Sequence, residues 1–349
     1  MKLLQILIIF TCMISFDASA TILTVKQDGT GNYTTIQSAI NAAATGDTVL
    51  VWPGIYYENI NYYSKRITVA SLNLTTGDQA YINTTIIDGN SNGSCVMIDF
   101  VPAPAASLVG FSIINGSGHV IYNYGGGIYV YEAHLTIRNC IISYCSAWIG
   151  GGIACINYST IYLSGTRISN NRAMSNGGGI AIGGESTMVF DPVNLNSVFL
   201  NHGTMGCDIA KGLSPPLNII LDTATVLYPA NYFFAANNSL GYPVYDLTWQ
   251  INHGIIQQVS ADLYVNPGGS NYNSGLSPDS PLQTIEYALK KILPDTISPK
   301  TIYLSDGIYS PSSNQELFPI VPRSYVSLQG SGSENTIVDA EHTSRLLYS

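Results

Sequence analysis

The stretch that decides the fold is a glycine triplet that recurs three times: Gly125-Gly126-Gly127-Ile128, Gly150-Gly151-Gly152-Ile153 and Gly177-Gly178-Gly179-Ile180. The triplets lie 25 and 27 residues apart (150 − 125 and 177 − 150), and each opens a short alternation of inward apolar residues. A second alternation begins eight or nine residues after each triplet. Alternation with period two over three to four residues predicts short β-strands.

A third strand is expected after a bend in each repeat. The bend residues are Gly110, Asn139 and Gly165, and Gly and Asn adopt a left-handed backbone at the lowest cost. Three short strands in each repeat of roughly 26 residues predict a parallel solenoid with one continuous core. One inward column is expected to consist of Ile113, Ile142 and Ile168. The predicted fold class is therefore all-β, a right-handed parallel β-helix.

The first coil of such a solenoid needs a cap, because it would otherwise expose apolar core and unpaired strand edges. Residues 35–43 predict an amphipathic capping helix, since one helical face collects the apolar side chains Ile36, Ala39, Ile40 and Ala43. Thr34 or Thr35 can serve as its N-cap, and Gly46 follows its end.

The same opening recurs late in the chain. Residues 35–40 correspond to residues 284–289, and residues 48–56 correspond to residues 301–309. A second β-helix is therefore expected to begin near Ala261. The predicted organisation is a signal peptide at residues 1–20, the first β-helix at 21–213, a β-rich spacer at 214–260, and the start of a second β-helix at 261–349.

The N-terminal segment predicts export. Lys2 precedes an apolar run, and Ala18-Ser19-Ala20 has the small-x-small pattern of a signal-peptide cleavage site. No later apolar run has the length of a membrane-spanning helix, so no transmembrane segment is expected in the mature chain. Charged residues make up only 10% of the chain and the net charge is −9, which opposes binding to nucleic acid. The expected location is outside the cytoplasm, secreted or at the cell surface.

Five cysteines follow the predicted leader: Cys95, Cys140, Cys145, Cys155 and Cys207. An odd number without a CxxC pair predicts neither a zinc site nor a complete disulfide framework. Most are expected to be buried as small apolar residues, while a bridge from Cys140 to Cys145 or between neighbouring turns stays open.

Several segments resemble known solenoids. Residues 28–37, 46–51 and 53–56 resemble the opening of pectin-lyase-like right-handed β-helix proteins, and residues 264–267 with 277–285 resemble an uncharacterised domain family that opens similar solenoids in bacterial exported proteins. The glycine repeats also resemble those of bacterial polymorphic outer-membrane proteins, without the companion FxxN element. These resemblances imply a fold. Pectin esterases share the first opening, but the two aspartates and the arginine they use have no counterpart in residues 90–210.

The resemblance implies that a polysaccharide lyase would carry acidic residues for calcium and a Lys or Arg base on its outer strand faces, as uronate elimination requires. The outward residues expected here are mostly uncharged: Tyr129, Ala154, Ala181, Thr136, Tyr162, Val189, Ser112, Ile141 and Arg167. One arginine without stacked carboxylates is a poor lyase site. No catalytic residue is therefore assigned.

One segment resembles a calcium loop in its spacing of oxygen ligands: Asp88, Asn90, Asn92 and Gly93, with Asp99 at the twelfth position. Its flanks are strand-like, which favours a solenoid bend, so no metal or cofactor is assigned and calcium is the one ion the pattern suggests. The glycine triplets precede strands and lack a lysine, which favours turns over phosphate loops. The histidines show no ligand spacing: His119, His134, His202 and His253.

Tyrosine is the remaining functional signal, with 24 residues and clusters that include Tyr56-Tyr57, Tyr62-Tyr63, Tyr122, Tyr124, Tyr129 and Tyr131. Outward tyrosines can stack on sugar rings while their hydroxyl groups form hydrogen bonds. The favoured function is an exported, non-catalytic β-helix scaffold that binds a glycan or mediates adhesion, with a polysaccharide or cell-surface glycan as partner. The alternative is a carbohydrate-active enzyme of the polysaccharide-lyase kind, with its site on coils that are not evident in this sequence.

Overall fold

The computed structural model describes residues 20–213, 215–236 and 247–347. The predicted signal peptide, residues 1–20, lies outside these residues except for Ala20. Among the described residues, no helix is both long enough and apolar enough to cross a membrane.

The strands of the larger part of the chain, in order, are β1 (Ile22–Val25), β2 (Thr48–Val51), β3 (Gly54–Tyr57), β4 (Ile60–Asn61), β5 (Thr68–Ser71), β6 (Thr85–Asp88), β7 (Val96–Asp99), β8 (Ala106–Val109), β9 (Ser112–Ile114), β10 (Ile128–Tyr131), β11 (His134–Arg138), β12 (Ile141–Ser143), β13 (Ser146–Ala147), β14 (Ile153–Ile156), β15 (Thr160–Ser164), β16 (Arg167–Ser169), β17 (Arg172–Ala173), β18 (Ile180–Gly183), β19 (Thr187–Phe190), β20 (Asn196–Phe199), β21 (Ile209–Lys211), β22 (Leu217–Ala224), β23 (Phe234–Ala236) and β24 (Leu247–Gly254). The later strands are β25 (Leu263–Val265), β26 (Lys300–Leu304), β27 (Gly307–Tyr309), β28 (Val326–Gly330) and β29 (Thr336–Val338). The helices are α1 (Ile36–Ala42), α2 (Asn73–Thr76), α3 (Ala80–Thr84), α4 (Ile285–Lys291) and α5 (Pro311–Asn314).

Three parallel sheets form the sides of the first solenoid. Sheet 1 has the order β4-β7-β10-β14-β18-β21-β23, sheet 2 the order β1-β2-β5-β8-β11-β15-β19, and sheet 3 the order β3-β6-β9-β12-β16-β20-β22-β24. The short strands β13 and β17 pair with each other between sheets 3 and 1. This arrangement confirms the predicted right-handed parallel β-helix.

The predicted register of the third strand is confirmed. The bend residues Gly110, Asn139 and Gly165 have positive φ values of 81°, 53° and 57°. The three isoleucines expected in one column pair in register across β9, β12 and β16, and all of them have 0% exposure. Burying one apolar column from coil to coil is what joins successive turns into one core.

Polar ladders close the corners of the solenoid. The Asn171 side-chain oxygen accepts the backbone N–H of Cys145 at 3.1 Å, and the Asn201 side-chain oxygen accepts the backbone N–H of Asn171 at 3.0 Å. Two further corners repeat this pattern from one turn to the next, along Cys140, Thr166 and Asn196 and along Ala133, Ser159 and Ser186. These bonds satisfy buried amides that the strands cannot pair.

The five described cysteines are free and buried. The Cys140 thiol donates to the Arg138 carbonyl at 3.3 Å, and the Cys145 thiol donates to the Ser143 carbonyl at 3.4 Å. The two thiols therefore lie at opposite ends of β12. The bridge that the sequence left open between them is not formed.

The helix α1 caps the first coil and is held at both ends. The Thr35 side chain accepts the backbone N–H of Ser38, as an N-cap does. The Glu58 carboxylate accepts the backbone N–H groups of residues 36 and 37 at 2.9 and 2.8 Å, and the Lys65 ammonium donates to the carbonyl groups of residues 40 and 41 at 2.7 and 2.8 Å. A negative charge at the N-terminus and a positive charge at the C-terminus both stabilise the helix by interacting favourably with its dipole.

The helix α4 is held in the same way. The Thr284 side chain caps it, the Glu316 carboxylate accepts the backbone N–H groups of residues 285 and 286, and the Arg323 guanidinium donates to the carbonyl groups of residues 289 and 292. Burial raises the pKa of Glu316 to about 7, against the opposing effect of the two N–H groups. Around α4, the strands β25, β26 and β28 form one small sheet and β27 and β29 another, over a separate apolar core.

The segment predicted as a spacer contributes to the first solenoid. Strand β22 pairs with β20 and β24 pairs with β22, so both extend sheet 3. The domain boundaries near residues 213 and 260 stay predictions.

A buried ionic cluster joins α4 to the first solenoid. Glu286 forms an ion pair with Lys290 and lies 3.4 Å from the Nδ1 atom of His202, and all three side chains are almost fully buried. Burial alone would raise the pKa of Glu286, but the Lys290 ammonium and the hydrogen bond with His202 outweigh it and lower the pKa. The corresponding residues of α1 are Gln37 and Asn41, which form a neutral hydrogen bond of 2.9 Å at the surface.

Replacing one member of the buried pair should be costly. In Glu286→Gln, Lys290 loses its carboxylate while remaining buried, so we expect a loss of about 3 kcal/mol or more in the free energy of unfolding. The double variant Glu286→Gln with Lys290→Asn copies the neutral pair of α1 and should recover part of that loss. Chemical denaturation of the three proteins measures both effects, and a single variant as stable as wild type would contradict this account of the junction.

The inward column gives a second stability prediction. Ile142→Asp places an unpaired carboxylate inside the core and should prevent the central coils from folding or lower the melting temperature sharply. The matched control is Val189→Asp, because Val189 is 42% exposed on the outer side of β19. Thermal unfolding followed by circular dichroism compares the two, and equal melting temperatures would show that the assigned register is wrong.

Candidate functional site

The outer face of sheet 1 differs from the sequence-based expectation. Tyr129, Ala154 and Ala181 occupy one register column that points away from the core, as predicted. They are nevertheless 4%, 0% and 3% exposed. The glycine corners fold over this face: a Cβ atom added to Gly150 would lie 2.9 Å from the Cβ atom of Ala154, and one on Gly177 would lie 2.9 Å from the Cβ atom of Ala181. The expectation that these three side chains face solvent was wrong.

The outer faces of sheets 2 and 3 follow the expectation more closely. Tyr162 and Val189 are exposed on sheet 2, and Arg167 is exposed on sheet 3. Ser112 is the exception, because α3 lies over it and its hydroxyl group donates to the Ile82 carbonyl at 2.8 Å. These outward residues of the three sheets are therefore either covered by corners and helices or exposed without forming a cluster.

One surface stands out by its composition: a continuous row of six rings, called the aromatic row below. Its members, in spatial order, are Phe100, Tyr131, Tyr129, His119, Tyr122 and Tyr124. The centroids of successive rings are 5.6, 6.2, 4.8, 5.5 and 6.2 Å apart. These separations lie in the range in which aromatic side chains attract one another.

Strand β10 and one corner loop position the row. Two of its tyrosines alternate along β10, and Phe100 follows β7 directly, one coil away. The loop of residues 115–124 carries the other three rings. It is held by hydrogen bonds from the His119 N–H to the Tyr124 carbonyl at 2.9 Å and from the Ser117 N–H to the Gly93 carbonyl at 2.9 Å. The rings therefore sit on backbone that neighbouring coils support.

The row is apolar at its surface. Phe100 and Tyr122 are 54% and 55% exposed, and the loop tip adds Val120 and Ile121 at 80% and 75%. These large side chains leave much of their apolar surface in contact with water, so they do not stabilise the core through that surface. A contiguous apolar surface of this kind marks a binding site more often than a structural feature.

Burial favours the neutral forms of two members of the row. Burial raises the pKa of Tyr129 well above its usual range, and neighbouring tyrosines and Asp99 add to this effect. Burial lowers the pKa of His119, although Asp99 acts in the opposite direction. The His119 Nδ1 atom is buried and has no hydrogen-bond partner among the described residues. Within the row, Phe100 and Tyr122 offer exposed faces on which a ligand ring can stack.

The calcium-like segment has the geometry of a bend. Asp88 accepts the backbone N–H of Asn90 at 2.9 Å through one carboxylate oxygen and the side-chain amide of Asn115 at 3.0 Å through the other. An aspartate that bonds the amide two residues ahead makes an Asx turn. Within the described ranges, no group of three His, Cys, Asp or Glu side chains is placed to hold a metal. Calcium at this bend stays a hypothesis.

The sequence identified the tyrosines of the row but not its two other members. His119 lies in the loop of residues 115–124 and stacks between Tyr122 and Tyr129, whereas His202 is buried at the junction with α4. Phe100 joins the row only through the register between β7 and β10. The proximity of residues 119–131 along the chain was the one available signal.

Comparisons with known proteins add the following. No protein-family model matches the sequence, and no curated protein is similar to it. Among solved structures, two crystal structures of the pectin methylesterase from Aspergillus niger in deglycosylated forms are similar, each with 13% sequence identity. The TM-scores are 0.34 and 0.33, with 95% of this chain and 91% and 90% of the esterase chains covered. At these scores the likeness supports no assignment of activity.

Proposed function

We propose that this protein is an exported, glycan-binding β-helix that holds sugar rings against the aromatic row. The observation that carries the proposal is the unbroken series of six rings, of which Phe100 and Tyr122 are more than half exposed. Export rests on the signal-like residues 1–20. The sparse charge, 10% of all residues, is in keeping with a surface role outside the cell.

The chemistry of the row suits a carbohydrate. The C–H faces of a sugar ring pack against aromatic faces, and tyrosine hydroxyl groups can bond the ring hydroxyls. Phe100 and Tyr122 are both exposed, so different units of one chain can contact them, and a chain would be bound better than a monosaccharide. Because the carboxyl group of Asp99 lies beside the row, we expect neutral glycans to be preferred over acidic ones.

Binding is favoured over catalysis at this surface. Glycoside cleavage needs two placed carboxyl groups, and uronate elimination needs a base with charge neutralisation. The acidic group that acts on Tyr129 and His119 is Asp99, and burial favours the neutral forms of both rings. The alternative, a carbohydrate-active enzyme, would be supported by sustained turnover of pectate or alginate by residues 21–349, which would contradict the binding proposal.

The test compares three tyrosine and phenylalanine variants. Tyr122→Ala and Phe100→Ala each remove one exposed stacking face, worth about 1 kcal/mol, so each should weaken binding about fivefold. Tyr228→Ala is the matched control, because Tyr228 is 79% exposed and outside the row. Affinity electrophoresis in gels that contain soluble β-glucan, xyloglucan or galactomannan identifies the glycan, and calorimetry with its oligosaccharide gives Kd.

Two results would contradict the proposal. One is that none of these neutral polysaccharides retards the wild-type protein. The other is that the wild type binds one of them while Tyr122→Ala and Phe100→Ala bind it equally well. Melting temperatures equal to wild type establish that the variants are folded.

A further inference from the structure

A cleft of about 210 Å³ opens on the outer side of sheet 3, away from the aromatic row. Helix α3 lies on β9, where its Ile82 carbonyl accepts the Ser112 hydroxyl, but it does not continue over β12 and β16. The cleft lies at the end of this helix, and its lining includes Ile82, Ile141 and Gly165.

Three polar side chains converge on the cleft without partners of their own. Gln79 and Asn83 come from α3 and its N-cap, and Arg167 comes from the first position of β16. Within the part of the chain that the structure describes, none of the three side chains forms a hydrogen bond or an ion pair. By contrast, Arg172 and Arg323 both donate to backbone carbonyl groups. All three residues are exposed, so the guanidinium and the two amides are accessible to a ligand from solution.

The chemistry of these groups selects the ligand. A guanidinium matches the planar, bidentate geometry of a carboxylate. Carboxamide side chains both donate to and accept from hydroxyl groups, and the two isoleucines offer an apolar floor for a carbon skeleton. The volume suits one small molecule or one unit of a chain. We propose that this cleft binds a hydroxy acid: Arg167 pairs with its carboxylate, and Gln79 and Asn83 bond its hydroxyl groups.

The site is independent of the aromatic row. Arg167 lies on sheet 3, whereas the row lies on sheet 1 and is fitted for neutral rings. The acid could be a small organic hydroxy acid or an acidic sugar, and both present the same carboxylate and hydroxyl pattern. If the aromatic row bound no glycan, the cleft could still bind the acid. If the cleft bound no acid, the row could still bind a glycan.

Calorimetry on the mature chain tests the proposal with four probes: galacturonate, malate, galactose and acetate. We expect galacturonate or malate to bind, the stronger of the two identifying the source of the acid, while galactose lacks the carboxylate and acetate lacks the hydroxyl groups. Arg167→Gln should weaken the stronger ligand about tenfold or more, since it removes a charge-assisted pair. Arg167→Lys keeps the charge but loses the bidentate geometry, so its affinity should lie between those of wild type and Arg167→Gln.

Arg138→Gln is the matched control, because Arg138 is also an exposed arginine but lies on β11 of sheet 2. It should bind the ligand as wild type does. The proposal is overturned if neither acid binds, if Arg167→Gln binds the acid as tightly as wild type, or if Arg138→Gln weakens binding equally, since the last result would indicate general charge attraction.

Discussion

The structure depends on how closely the backbone of one corner approaches the next. A Cβ atom added to Gly126 would lie 2.4 Å from the carbonyl oxygen of Gly151, and one added to Gly151 would lie 2.5 Å from that of Gly178. No real side chain tolerates such distances. The hydrogen bonds from Gly126 to Gly150 and from Gly151 to Gly177 run through this contact at 3.1 Å each. The glycines thus let the corners before β10, β14 and β18 stack at the same spacing as these three strands.

That constraint also places the functional surfaces. The aromatic loop ends at Gly125, whose φ of +61° turns the chain towards β10, and Tyr124 lies beside Tyr122 of the same loop. One coil later, Gly150 sits against Ala154 and covers the outer face of sheet 1. The corner at Gly125 therefore carries exposed rings, whereas the corner at Gly150 buries the outer face of sheet 1. The aromatic row is possible only where the corner loop is long enough to carry its own side chains.

Much of the fold could be predicted because its signals are local or periodic. Thr35 and Thr284 each precede an amphipathic stretch, and Ile113, Ile142 and Ile168 recur at the repeat length. The corner ladders could not be predicted, because Asn171 and Asn201 are residue types that any turn would accept, and their bonds join residues about one repeat apart. Ala154 and Ala181 are buried because the corners fold over the outer face of sheet 1. The alternation of apolar residues along a strand does not predict such a contact.

The candidate sites divide in the same way. The tyrosines of the row were visible in the sequence, whereas Phe100 and His119 join it through contacts between coils. The cleft at Arg167 was missed because α3 was not predicted, and without that helix an outward arginine has no neighbours. The ionic junction at Glu286 was missed because Gln37, its counterpart in α1, is uncharged and only half-buried, and the two stretches share one apolar pattern.

The most direct test of the account is the addition of one methyl group at a stacked corner. In Gly151→Ala the new Cβ atom would lie 2.5 Å from three backbone atoms, so we predict a loss of about 1–3 kcal/mol in the free energy of unfolding, or failure to fold. Gly183→Ala is the control, because its Cβ atom would meet only the Ile156 side chain at 3.7 Å. Denaturant unfolding of both variants should show the first strongly destabilised and the second close to wild type. Equal stability of the two variants would contradict the claim that the glycine corners hold the solenoid together.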